Sequence, residues 1–539
     1  MSRRLADAIL VDLFRQFRWS YLPPLMVYFA AGISGLTGIV GTFFVKEYLG
    51  LSASFLAGLA FWAGIPWALK MPLGHLVDLI WRRKALLVYV GAGLVTCSLM
   101  IMFALITRTD QMAAIMPISA WYVLSVILAP SGYVVQDSVA DAMSVEAVPR
   151  HAPDGREIGE AETKALHTTM QTLGRVALIS GFVAVALLNI FMFEGVEQMS
   201  QDEKSGIYAR IYVMALAIPL ISISGVLLAG VLKGRRRAAL RLQGHHEDAI
   251  DAMVDRPSEP AKPNYWYFVG GAAFVVLTLA IGLSRVTFSQ EIVFVGSMAI
   301  VLLLMRQLLT ALEPDRARAL IGTAIIIFVF RAVPLPGAGA TWFEIDVLGF
   351  DQQFLSVLSL ITSILTLAGM IILRPLIASK TITDIVILLT IAAGILSLPN
   401  IGLYFGLHHW TAPLTGGVVD ARFIAVMDTA VESPLGQIAM IPMLAWIAKN
   451  APYELKATFF AVMASFTNLA LSASSLLTKY LNEIFIVSRE VRDRITGEIV
   501  VQADYGSLGG LLIVVAATAV LAPLITIAIV QATMFHTDE

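Results

Sequence analysis

The sequence predicts an all-α membrane protein of two six-helix bundles, with an extra pair of spans inserted between them and fourteen spans in all. Two observations carry this. Apolar residues make up 58% of the chain and charged residues 14%, with a mean hydropathy of +0.79, more apolar surface than a soluble core of this length can bury. The chain also copies itself. Residues 42–56 and 341–355 keep Thr, Phe, an acid, Leu-Gly and Phe-Leu in phase at a spacing of 299, and Glu162-Thr-Lys-Ala165 echoes Glu454-Leu-Lys-Ala457. A duplicated membrane bundle implies a central site and two halves that rock about it.

Each element follows from where the apolar runs start and stop. Crossing the hydrocarbon core takes about 20 helical residues, and the backbone must satisfy itself there, so each long apolar run reads as a spanning helix. Residues 1–20 come first. Leu5, Ile9, Leu10, Leu13, Phe14 and Phe17 form an apolar stripe opposite Arg3, Arg4, Arg15 and Arg18, which predicts a helix along the membrane surface and not a cleaved leader. The first bundle, 21–232, has spans near 21–45, 53–73, 85–106, 113–136, 165–193 and 211–232. Residues 233–264 read as a linker, basic at first and then acidic with Pro257, Pro260 and Pro263. The inserted hairpin, 265–317, has spans near 266–284 and 291–311, and as a pair it preserves the orientation of the second bundle. That bundle, 318–539, has spans near 319–340, 352–373, 382–404, 423–448, 456–480 and 508–533.

Orientation is read from Lys and Arg in the short loops. They gather in the N-terminal segment, after the second span (Arg82, Arg83, Lys84) and after the sixth (Lys233, Arg235, Arg236, Arg237, Arg241), which places both termini in the cytoplasm. The expected setting is an inner or plasma membrane, crossed many times and in contact with lipid. A net charge of -2 excludes a nucleic-acid footprint. The lone Cys97 excludes an internal disulfide or a cysteine metal cluster. No nucleotide-binding Gly-rich loop with a Lys occurs. His408 and His409 lack a third ligand, so no metal or cofactor is assigned.

Gly74-His-Leu-Val-Asp78-Leu-Ile-Trp-Arg82-Arg83-Lys84 resembles the signature loop of the major facilitator superfamily, with Trp81 where a glycine usually precedes the basic pair. Gly74 permits close helix approach, and Asp78 with the cations makes an ionic latch at the cytoplasmic mouth. Four further stretches resemble the folate–biopterin transporter family. They are Ile65-Pro-Trp-Ala-Leu-Lys70; Gln136-Asp137-Ser-Val-Ala-Asp141-Ala142; Arg331-Ala-Val-Pro334 with Leu348-Gly-Phe350 and Phe354-Leu355; and Ala457-Thr-Phe-Phe-Ala461 with Ser465 and Asn468. The resemblance covers most of both bundles but not 233–311. Two extra central spans also occur in the distantly similar muropeptide permeases.

Charges inside spans are costly unless they face a cavity or a partner. Arg175 lies midway along the fifth span, and Arg331 midway along the first span of the second bundle, just before Pro334 and Pro336, which should break or kink that helix. Asp428 and Glu432 sit one turn apart on the fourth span of the second bundle. The resemblance implies that these helices line a central cavity. A folate's carboxylates suit a planar guanidinium, and its pterin edge suits a carboxylate. Arg175, Arg331, Asp428, Glu432 and Asn468 are therefore the candidate substrate contacts, and Asp428 and Glu432 the candidate proton carriers. The alternative for these charges is a buried pair that holds helices together. Lys70, Gly74, Asp78, Arg82, Arg83, Asp137 and Asp141 form the candidate cytoplasmic gate. The expected activity is secondary active transport of a folate or pterin-like organic anion, by alternating access with proton coupling. One rival is a permease for another solute, muropeptide-like or a drug. The other is an enzyme: Asp137-x-x-x-Asp141 could hold magnesium as in membrane prenyltransferases, but no second such motif lies at a helix end.

Overall fold

The computed structural model describes residues 17–45, 51–68, 70–149, 158–254, 265–282, 286–309, 312–372, 381–436, 456–492, 499–533 and 535. The surface helix expected over residues 3–18 lies almost wholly outside the described residues. In chain order the helices are α1 (Leu22–Ile33), α2 (Gly38–Phe44), α3 (Ala53–Ala68), α4 (Lys70–Leu79), α5 (Ala85–Thr107), α6 (Thr109–Ile115), α7 (Ile118–Ala147), α8 (Glu160–Met192), α9 (Gln201–Ala215), α10 (Ala217–Leu242), α11 (Glu247–Val254), α12 (Tyr265–Gly282), α13 (Ser289–Leu309), α14 (Pro314–Arg331), α15 (Ala338–Asp346), α16 (Gln352–Ile372), α17 (Ile382–Tyr404), α18 (Leu407–Leu414), α19 (Ala421–Gly436), α20 (Lys456–Ile484) and α21 (Leu508–Gln531). A small antiparallel pair, β1 (Val491–Arg492) and β2 (Ile499–Val501), joins the last two. The protein is all-α and polytopic: among the described residues, ten helical stretches are long and apolar enough to cross a membrane.

The chain divides into two compact units. The first gathers residues 1–38, 72–188 and 199–265; the second gathers 39–71, 189–198 and 266–539. Inside the first unit α5 packs along α7, and α10 along α1. Glycines set the separations. A Cβ on Gly91 of α5 would lie 2.6 Å from the Gly132 carbonyl of α7, and one on Gly32 of α1 would lie 2.0 Å from the Leu178 carbonyl of α8. Small residues let backbones meet where lipid offers no hydrophobic drive for association. Gly32→Val should therefore forbid the α1–α8 approach. Loss of the monodisperse peak in fluorescence-detected size exclusion is the expected result.

In the second unit the most extensive seam joins α3 to α20, and α13 of the inserted hairpin lies against both. Phe61, Ile65, Phe274, Val293, Val301, Ile327, Met463 and Phe466 share one buried cluster, so the hairpin is built into this unit's core. The repeat is visible in the elements as well. Ala53 opens α3 and Gln352 opens α16, with short helices α2 and α15 before them, at the spacing the sequence repeat has. Between α15 and α16 the repeated Leu-Gly places Gly349 at φ 67°, a conformation that favours glycine. The Gly349 carbonyl accepts from Arg422 at 3.0 Å, and Arg422 also pairs with Asp351 at 3.2 Å.

Candidate functional site

Arg331 is the last residue of α14, where a cation suits the helix dipole. The helix stops there. Residues 332–337 contain Pro334 and Pro336, which offer no N–H to continue the ladder, and the chain restarts at Ala338 through Gly337 at φ 79°. The freed backbone groups are met by α20: Ser474 Oγ donates to the Val333 carbonyl at 2.6 Å, Thr478 Oγ1 accepts from Leu335 N–H at 2.9 Å, and Asn482 Nδ2 donates to the Pro336 carbonyl at 3.2 Å. These three side chains recur every fourth residue and so share one helix face. The guanidinium itself is not so served. Arg331 Nη1 is buried and has no hydrogen-bond partner among the described residues.

Asp428 lies on α19, 7% exposed, and accepts from Asn400 Nδ2 of α17 at 2.8 Å. Asn400 also lines an apolar cavity of about 250 Å³ between α14, α17 and α21. Near Asp428 stands an acid that sequence reasoning missed. Glu344 sits on α15, past the first span of the second bundle, where burial and the Asp428 carboxylate push its carboxyl up to about 7. Its signal was present in the repeat, since it holds the position that Val45 holds in the first copy. Glu432 follows Asp428 one turn along α19; its side chain is outside the described residues. Asn468, on α20, donates to the Trp67 carbonyl of α3 at 3.2 Å, a helix-to-helix bond. The His408 and His409 rings lie 4.0 Å apart on α18, tilted at 44°, and no cluster of three or more metal-ligating side chains occurs among the described residues.

In the first unit Arg175 is exposed on α8 and makes no ion pair among the described residues. Asp141 accepts from Tyr28 of α1 at 2.8 Å, and Asp137 lies one turn before it on α7. Lys70, Gly74 and Asp78 share α4; Asp78 and Arg83 are exposed. Arg82 pairs with Asp251 of α11 at 3.3 Å, and Arg237 of α10 pairs with the same carboxylate. Behind them Glu146 bridges Lys84 at 2.8 Å and Lys233 at 2.5 Å. The part of the linker that is described is thus folded back: α10 runs on to Leu242, and α11 seats Ile250 and Val254 in the core with Asp251 clasped between two arginines. Asp251→Asn should quicken limited proteolysis around 243–254 with little change in melting temperature, because exposed pairs contribute about 1 kcal/mol or less.

A helical, polytopic chain with one helix broken at two prolines and a buried cation at the break defines a class, the multi-span helical membrane proteins. Its fold is shared with solved transporters. The chain superposes on a POT family transporter in complex with a thioalcohol conjugated peptide (TM-score 0.56, 12% identity, covering 95% of this chain and 96% of that one). It also superposes on the nucleoside transporter NupG (0.54, 12%, 95% and 99%) and on a D-xylose-proton symporter (0.52, 13%, 94% and 95%). The sequence pattern of the BT1 family matches residues 209–538, and the chain belongs to that family. It is also 21% identical, over 86% of its own length and 75% of the relative's, to a folate-biopterin transporter from Synechocystis sp. (strain ATCC 27184 / PCC 6803 / Kazusa). The chain is accordingly a membrane transporter with a small-molecule substrate, and not an enzyme.

Proposed function

We propose that this protein is a secondary active transporter that moves a folate or pterin-like organic anion by alternating access, with protons as the coupling ion. The observation that carries the reading is Arg331, half-buried, whose Nη1 is buried and left without a hydrogen-bond acceptor among the described residues. Leaving such a group unmatched costs several kcal/mol, and an incoming carboxylate would match it. The relative named for folate and biopterin transport supports the choice of cargo. The substrate-binding set proposed is Arg175, Arg331, Asp428, Glu432 and Asn468. Asp428 and Glu432 are the proposed proton carriers, and Glu344 joins them because it shares the field of Asp428. Lys70, Gly74, Asp78, Arg82, Arg83, Asp137 and Asp141 are proposed to close the inner mouth. The loop cations favour a plasma or inner membrane setting with both termini in the cytoplasm.

The test is counterflow of labelled folate in proteoliposomes. Uptake of unaltered folate, driven further by an inward proton gradient, is the expected result. Exchange of a muropeptide or a drug but not folate would transfer the protein to the rival cargo class.

A further inference from the structure

The inserted hairpin grips the helix that holds the Arg331 break. Glu291, in the first turn of α13, accepts a short hydrogen bond from the Tyr480 hydroxyl of α20 and pairs with Lys479 at 3.3 Å. Beside it, Gln290 Nε2 donates to the Gly58 carbonyl of α3 at 3.0 Å, and a Cβ on Gly58 would meet that amide at 2.9 Å. Lys479 and Tyr480 follow directly on Thr478, which with Ser474 and Asn482 bonds the backbone of residues 333–336. At 100° per residue the gripped positions point away from the 474–478–482 face, so one helix is held from the hairpin on one side and holds the break on the other.

We propose that Glu291 is a positioning residue for Arg331: by fixing the rotation and height of α20, the hairpin sets the conformation of the broken segment that ends α14. The chain of contacts is continuous: hydrogen bonds and an ion pair join the hairpin to α20 and α20 to the break, and the main chain of α20 and of residues 332–337 carries the rest. Residues 332–337 have no helical ladder of their own, so their geometry is dictated by the α20 side chains that satisfy them. A small turn of α20 is therefore delivered to Arg331 through the broken segment. The reading of Arg331 as an anion site is needed only for the second arm of the test.

The first arm is independent of cargo. In a Cys97→Ser background, which removes the lone cysteine, Leu335→Cys places a thiol in the break at a position that is 63% exposed in the native chain. Glu291→Ala should raise its maleimide labelling rate about threefold or more. Tyr480→Phe should raise it less, and Glu291→Gln, which still accepts from Tyr480, should stay nearest to the parent. Ser297→Ala, buried on the same helix but not touching the break, should leave the rate unchanged. Labelling within error of the parent for both Glu291→Ala and Tyr480→Phe would overturn the proposal, and Tyr480→Phe keeps the test decisive if the alanine variant fails to fold. In the second arm, Glu291→Ala should weaken labelled-folate binding about tenfold. A labelling change in a protein whose parent binds no folate would support the positioning role and overturn the anion reading alone.

Discussion

Arg331→Ala is expected to weaken folate binding by roughly two orders of magnitude, because removing one partner of a buried charge pair costs about 3 kcal/mol or more. The same substitution should leave the folded protein intact. Arg331 Nη1 is buried without an acceptor among the described residues, so deleting the guanidinium removes a desolvation cost along with the proposed binding contact. The two effects separate cleanly in a thermal-shift assay. The parent should gain melting temperature with added folate, since a ligand that binds only the native state stabilises it. The variant should start at an equal or higher melting temperature and gain nothing. A variant that keeps the parent's folate-induced shift would remove Arg331 from the site.

The second large effect concerns pH. Glu344 is held up near 7 in the folded chain by burial and by Asp428, against an ordinary value of 4.5. Below about 4.5 the carboxyl is protonated in both folded and unfolded states and contributes no difference. As pH rises from there to about 7, only the unfolded state ionises it, so the folded state loses stability across that window and the loss levels off above 7. The full effect is roughly 3 kcal/mol, at about 1.4 kcal/mol for each pH step of one between the two values. Glu344→Gln should flatten the melting temperature between pH 4.5 and 7 and raise it at about pH 8. Under the proposed proton coupling, the variant should also lose part of the stimulation expected from an inward proton gradient. An unchanged pH dependence of both stability and uptake would remove Glu344 from the titrating pair.

Much of this architecture was legible in the sequence because lipid imposes a strict code. A span must be long, apolar and helical, so α5, α17 and α21 are plain from composition alone. The internal repeat can be read directly: Thr341, Leu348, Gly349 and Phe354 keep their phase with residues 42–56, and Gly349 takes a positive φ in the turn between α15 and α16. Arg331 and Asp428 were singled out by cost, since a charge at membrane depth needs a reason. Sequence spacing could not reveal pairing between distant elements. The partners of the α14 break, Ser474, Thr478 and Asn482, are unremarkable polar residues on a helix over a hundred positions away. Glu344 stood in what reads as an acidic loop, and its half-buried place on α15 beside Asp428 is a tertiary feature. Asp251 likewise stood in a charged linker whose composition gave no hint that α11 would dock on the signature loop.

The glycine contacts in the first unit limit how that unit can deform. Where Gly91 meets Gly132 and Gly32 meets Gly181, main chain lies on main chain with no compressible side chain between, so neither seam can shear by part of a residue without a clash. α5 with α7, and α1 with α8, are welded beams. Flexing of the chain is then expected elsewhere, in stretches such as 332–337 where the helical ladder is already interrupted.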